Sequence, residues 1–126
     1  MPNTTILTQN APQPIGPYSQ AIDTGAFVFV SGQVPIDPAT GRLSGDTIDT
    51  QGRQALRNLK AVLAAAGLGP MHIVKTLVFI RSMADFAAFN AIYEEELGTA
   101  RPARSVVEVS ALPRGALVEI EAVACR

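Results

Sequence analysis

Apolar residues recur along this chain in two periods, and the switches between them mark its elements. After a polar start with a short β-like patch at Thr5-Ile6-Leu7, Pro12, Pro14, Gly16 and Pro17 break any regular element. Alternation from Ser19 to Asp23, a turn at Thr24-Gly25 and the run Phe27-Val28-Phe29-Val30-Ser31, closed by Gly32, predict a hairpin. Pro35 to Gly45 is rich in Pro and Gly and reads as a loop. From Thr47 to Ala66 the period turns helical. Ala55, Leu56, Leu59, Val62, Leu63 and Ala66 form one stripe, with Arg53, Arg57 and Lys60 opposite. Asp46 or Asp49 is the expected N-cap and Gly67 the expected C-cap. Gly52, in the first turns, costs such a helix ~1 kcal/mol against alanine. Ile73 to Ile80 reads as a central strand. A capping-box-like start at Ser82 opens a second helix, which carries Phe86, Phe89 and Tyr93 on one face and stops at Gly98.

The last stretch holds two apolar runs around Leu112-Pro113-Arg114-Gly115, and predicts a strand, a tight return and a final strand. Side chains alternate faces along a strand. Arg104, Val106 and Glu108 therefore share one face of the first run. In the second, Val118, Ile120 and Ala122 lie opposite Glu119 and Glu121. Two readings of these charges stand: a face turned to water, or the lining of a cleft for a small anion, which arginine can grip with two parallel hydrogen bonds.

The predicted order is β-β-β-α-β-α-β-β. It implies a single α+β domain over residues 1–126, a two-layer fold with both helices on one face of a six-stranded mixed sheet. Val, Ile and Leu supply both faces of several strands, so the other sheet face also needs cover, which a homo-oligomer would provide.

Composition narrows the function. The chain is 48% hydrophobic and 17% charged with a net charge of −1, which gives no electrostatic footprint for nucleic acid or acidic lipid. Cys125 is the one cysteine, so an internal disulfide is impossible and a reducing compartment is expected. No secretory signal is visible, and no stretch approaches the ~20 apolar residues of a membrane span. The expectation is a soluble, cytoplasmic protein. His72 is the one histidine and reads as a surface residue, so neither a metal site nor a Ser-His or Cys-His pair can be assembled. Phosphate loops and dinucleotide fingerprints are missing too. A site free of metal and cofactor needs a substrate that is already reactive.

Pro102-Ala103-Arg104-Ser105, followed by Val109, Leu112-Pro113 and Val118-Glu119-Ile120-Glu121-Ala122, resembles the C-terminal signature of the RidA (YjgF) family. Gly16-Pro17-Tyr18-Ser19-Gln20, Ser31-Gly32-Gln33, Ala65-Ala66-Gly67-Leu68 and Phe89-Asn90-Ala91-Ile92-Tyr93 extend the likeness in order from about Asn10 to Ala124. The resemblance implies an enamine/imine deaminase of chorismate mutase-like fold, assembled as a homotrimer with sites between subunits and no cofactor. Its substrates would be 2-iminopropanoate and 2-iminobutanoate. It assigns the substrate carboxylate to Arg104, and the attacking water and proton transfer to Glu119. Tyr18 and Asn90 become pocket wall, and Ser31-Gly32 brings backbone close to the substrate. Two positions depart from many relatives. Val106 stands where they carry Cys, with its backbone expected at the site. Arg101 is an added cation, either solvated or tuning the site toward larger or more acidic substrates. The competing reading is a non-catalytic carboxylate-binding or chaperone-like module, which needs Arg104 but not Glu119.

Overall fold

Six strands form one mixed sheet in the computed structural model, which describes residues 3–126. In chain order they are β1 (Thr4–Ile6), β2 (Ala21–Asp23), β3 (Phe27–Gln33), β6 (Ile73–Ile80), β7 (Ala103–Glu108) and β8 (Val118–Cys125). The predicted loop after β3 carries a small extra ribbon, β4 (Ile36–Asp37) paired with β5 (Arg42–Leu43). Helices α1 (Ile48–Ala65) and α2 (Phe86–Leu97) follow β5 and β6. The spatial order is β1-β2-β3-β8-β6-β7, antiparallel throughout except for the parallel pair β6–β7. Among the described residues no helix is long and apolar enough to cross a membrane.

The expected hairpin between β7 and β8 does not form. β7 follows α2 and lies parallel to β6 on one side, while β8 pairs with β6 on its other side and continues to β3. The Pro-Gly signal is a real local turn, a 3₁₀ turn at Pro113–Gly115. It sits in a segment that crosses the end of β6, where Val109 N–H donates to Ile80 O and Arg81 N–H to Leu117 O.

The predicted stripe of α1 builds the core: Ala55, Leu56, Leu59, Val62 and Leu63 are fully buried against Val28, Val78, Ile80, Val118 and Ile120. Each of these buried Leu, Val and Ile side chains stabilises the fold by about 1.5–3 kcal/mol. The N-cap of α1 is Thr47 rather than Asp46 or Asp49. Its hydroxyl accepts from Thr50 N–H, which leaves Asp49 in the first turn, where a negative charge suits the helix dipole. The other end closes as a Schellman turn: Leu68 N–H reaches Leu63 O, and Gly67 takes φ 78°. Gly52 is a packing residue. A Cβ there would lie 3.2 Å from Cδ1 of the buried Phe89 ring, so the glycine sets how closely the helices approach. Ser82 caps a 3₁₀ turn, Met83–Asp85, and α2 begins one step later at Phe86.

Both helices lie on one face. The other carries Phe27 and Phe29 of β3, Leu77 and Phe79 of β6, Val107 of β7 and Val123 of β8. Phe29 is 48% exposed and Val107 40%. Among the described residues no element covers that face.

Candidate functional site

Strand register places Arg104 and Glu119 on opposite faces of the sheet. Arg104 is in register with Thr76 and Glu119 with Phe79, three residues apart on β6, and facing partners share a side. The single cleft expected to hold both is therefore absent from one chain. Each instead lines a cleft of its own.

The first cleft has a volume of about 380 Å³ and brings together Tyr18, Ser31, Gly32 and Glu119. Its shape depends on a bulge. Two β3 residues, Ser31 and Gly32, face the single Glu121 between the paired positions Val30↔Ala122 and Gln33↔Ile120. Glu119 then lies directly on the backbone of Gly32. A Cβ there would stand 2.8 Å from the Glu119 Cδ and 3.1 Å from its Cγ. The physical need for glycine is close approach by a neighbouring carboxyl, where sequence reasoning invoked the substrate. Burial pushes the Glu119 carboxyl above its ordinary range, and the charge of Glu121 adds to this. The Ser31 hydroxyl donates to Ser19 O, fixing the segment that carries Tyr18.

That segment has a second fastening. Gln20 is buried, accepts from Thr8 N–H at 2.7 Å and donates to Thr8 O and Pro12 O at 3.1 and 2.9 Å. The opposite wall is held by Asn58 of α1, whose amide donates to Val34 O and Ile36 O at 3.0 and 2.9 Å. Ile15, Val34, Ile36 and Pro113 make that cleft largely apolar, and Arg114 joins them. None of these five is a site residue on the sequence reading, which gives Pro113 and Arg114 only a turn. A turn and a proline-broken loop give no periodic signal.

The second cleft, of about 390 Å³, contains Arg104, Asn90, Tyr93 and Arg101. Arg104 is aimed by α2. Its Nη1 donates to Asn90 Oδ1 at 2.8 Å, and its Cζ lies 4.7 Å from the Tyr93 ring centre and 5.6 Å from that of Phe86. The Tyr93 hydroxyl and the buried Thr76 hydroxyl are 2.8 Å apart, which locks that ring. One face of the Arg104 fork is thus held while donors remain for a ligand. Arg101 lines this cleft with its side chain 63% exposed. Its Nη1 donates to Gly98 O and Ala100 O at 2.7 and 2.8 Å, closing the C-terminal end of α2. Val106 packs its side chain toward the core and lines neither cleft.

His72 is exposed, and its Nδ1 accepts from Gly69 N–H at 3.0 Å. Among the described residues, no group of three or more His, Cys, Asp or Glu is placed to hold a metal ion.

Known proteins match this chain along nearly its whole length. The family model described as endoribonuclease L-PSP matches residues 8–126. A RutC family protein of Pyrococcus horikoshii is 52% identical over 94% of both chains. The 2-iminobutanoate/2-iminopropanoate deaminase of Salmonella typhimurium is 50% identical over 97% of both. The crystal structure of Escherichia coli TdcF with bound serine superposes with a TM-score of 0.93 at 44% identity, covering 98% of each chain. With this match in sequence, in sheet order and in length, the chain belongs to the L-PSP family, also called the RidA (YjgF) family.

Proposed function

We propose that this protein hydrolyses small 2-imino acids, such as 2-iminopropanoate and 2-iminobutanoate, to 2-oxo acids and ammonia, in clefts built between copies of the chain. The observation that carries the reading is Glu119: a carboxyl seated against the bare backbone of Gly32, in a largely apolar cleft, with its proton affinity raised. Such a group can take a proton from water and return it. Arg104 grips the substrate carboxylate with its free donors. The substrate reacts as its iminium ion: water adds to the carbon of C=NH2⁺ while Glu119 accepts one of its protons, and the nitrogen is left as a neutral amino group. Glu119 then delivers the proton to that nitrogen as the C–N bond breaks. The remaining hydroxyl gives its proton to the re-ionised Glu119 as it becomes the carbonyl of the oxo acid, and ammonia leaves. Tyr18 walls the cleft beside the reacting carbon. Asn90 holds Arg104, and the backbone at Ser31-Gly32 sets the floor.

Two further observations support the reading. The deaminase from Salmonella typhimurium shares half of its residues with this chain. The TdcF structure holds serine, which carries a carboxylate and a nitrogen on one carbon, as a 2-imino acid does. A nuclease, by contrast, needs a cationic surface along a phosphate chain. Here the net charge is −1 and Ile15, Val34, Ile36 and Pro113 wall the Glu119 cleft.

Opposite-face placement of Arg104 and Glu119 supports a site completed by a second copy, and the exposed Phe29 and Val107 support burying the bare sheet face against it. A closed ring of three brings Arg104 of each copy to Glu119 of the next. Subunit mixing tests both halves of the proposal. Arg104→Ala and Glu119→Gln each turn over 2-iminobutanoate poorly alone. Co-refolded in equal amounts, they regain about one quarter of the wild-type rate, since a random ring pairs one intact Arg104 with one intact Glu119 at that frequency. No recovery would place both groups in a site within one chain. A wild type no faster than spontaneous hydrolysis would leave only the carboxylate-binding reading.

A further inference from the structure

Arg114 is the non-glycine residue with a positive φ among the described residues, at φ 62° and ψ 14°. Glycine or asparagine adopts that conformation more easily, so a long cationic side chain here is held against a backbone preference. Such a conformation persists where the surroundings impose it, and it clusters at sites that grip ligands.

The side chain is also under-used. Of the five N–H donors of a guanidinium, one at Nη2 reaches Gly41 O at 3.2 Å. Among the described residues no carboxylate pairs with it, as with Arg42, Arg81 and Arg104; of these four, Arg104 and Arg114 line the two clefts described above. Its position is specific as well. It lines the cleft of Glu119, on the same chain, beside the apolar surface of Ile36 and Pro113. That cleft thus offers one acid–base group, an apolar wall suited to methylene groups, and one cation with free donors.

We infer that Arg114 is a specificity-determining residue, an anchor for a second carboxylate at the far end of the substrate, so that the site takes 2-imino acids with acidic side chains. The inference rests on the imine-hydrolysis reading. Arg104 holds the carboxylate next to the reacting carbon, and Arg114 meets a side-chain carboxylate that 2-iminobutanoate lacks. On binding, the bond to Gly41 O exchanges for a charge-assisted fork. A diacid of this kind arises wherever an acidic amino acid is oxidised at its amino-bearing carbon.

The test is equilibrium binding of the stable products 2-oxoglutarate and 2-oxobutanoate to wild type, Arg114→Asn and Arg114→Lys. Asparagine suits the left-handed backbone, so that variant should melt no lower than wild type; Arg114→Gly makes the same truncation should it misfold. The expected result is that the affinity ratio favouring the diacid falls about tenfold in Arg114→Asn and is only partly kept by Arg114→Lys. An unchanged ratio, or equal weakening of both ligands, overturns the inference. Hydrolysis of 2-iminobutanoate is followed on the same samples. If the ratio falls as expected but wild type hydrolyses nothing, the diacid anchor stands and the imine-hydrolysis reading is what fails.

Discussion

Replacing Gly32 by alanine disturbs the candidate base through a single methyl group. The added Cβ would stand 2.8 Å from Cδ and 3.1 Å from Cγ of Glu119. Carbon atoms rest at about 3.5–4.0 Å, so the carboxyl must withdraw by roughly 1 Å. A displacement of ~1 Å at a reacting group costs about 10²-fold in rate. The whole contribution of a general base, ~10²–10⁴-fold, bounds the loss from above. The fold should survive. Gly32 is not in the left-handed region, so alanine adopts its backbone without strain, and the Glu119 side chain can rotate toward the cleft. The assay generates 2-iminobutanoate in situ from threonine with a dehydratase and follows 2-oxobutanoate above the spontaneous rate. Thermal melting runs alongside. A Gly32→Ala protein with wild-type turnover and an unchanged melt would refute the reasoning, because the carboxyl would then be working from somewhere other than its place over Gly32.

Arg104→Lys should lose about 10–100-fold in kcat/KM, since each charge-assisted bond is worth ~1.5–3 kcal/mol and an ammonium cannot reproduce the fork; near-complete rescue by lysine would count against a two-pronged grip. The acid limb of kcat/KM should fall above the ordinary glutamate value of 4.5, because Glu119 must be ionised to accept a proton and burial, then Glu121, hold its pKa up; Glu121→Gln should move the limb down. The stability sign runs the other way. A raised carboxyl pKa contributes stability that is full at low pH and lost as pH rises through the folded pKa, so Glu119→Gln should melt at or above wild type at neutral pH and converge with it in acid. Cys125 ends β8 beside Phe27 and lines neither cleft, so thiol-blocking reagents should leave turnover unchanged; inactivation absent from Cys125→Ser would put that strand end against the site.

Periodicity carried the helices and the central strand because burial imposes it directly. The α1 stripe and Ile73–Ile80 are read from sequence as the structure has them. The same alternation gave Val118, Ile120 and Ala122 to the core and turned Glu119 away from it. Pairing was not legible. Nothing in Pro113-Arg114-Gly115 says that β6 lies between the strands it joins, and the register of both strands on β6 is what sets Arg104 and Glu119 on opposite faces. Arg101 and Arg114 were equally opaque. Two exposed arginines near a turn look alike in sequence; only the carbonyls around them show that one closes a helix end and the other keeps donors free.

The contact between Gly52 and Phe89 reaches further than helix packing. Asn90 follows Phe89 on α2 and holds the Arg104 guanidinium at 2.8 Å. A methyl group at position 52 meets a ring with no exposed surface, which cannot swing aside, so α2 itself must yield by a few tenths of an ångström. Asn90 travels with the helix, and the aim of Arg104 drifts with it. A substitution on the neighbouring helix would thus be read in an assay as damage to substrate recognition, in a protein whose recognition residues are all intact.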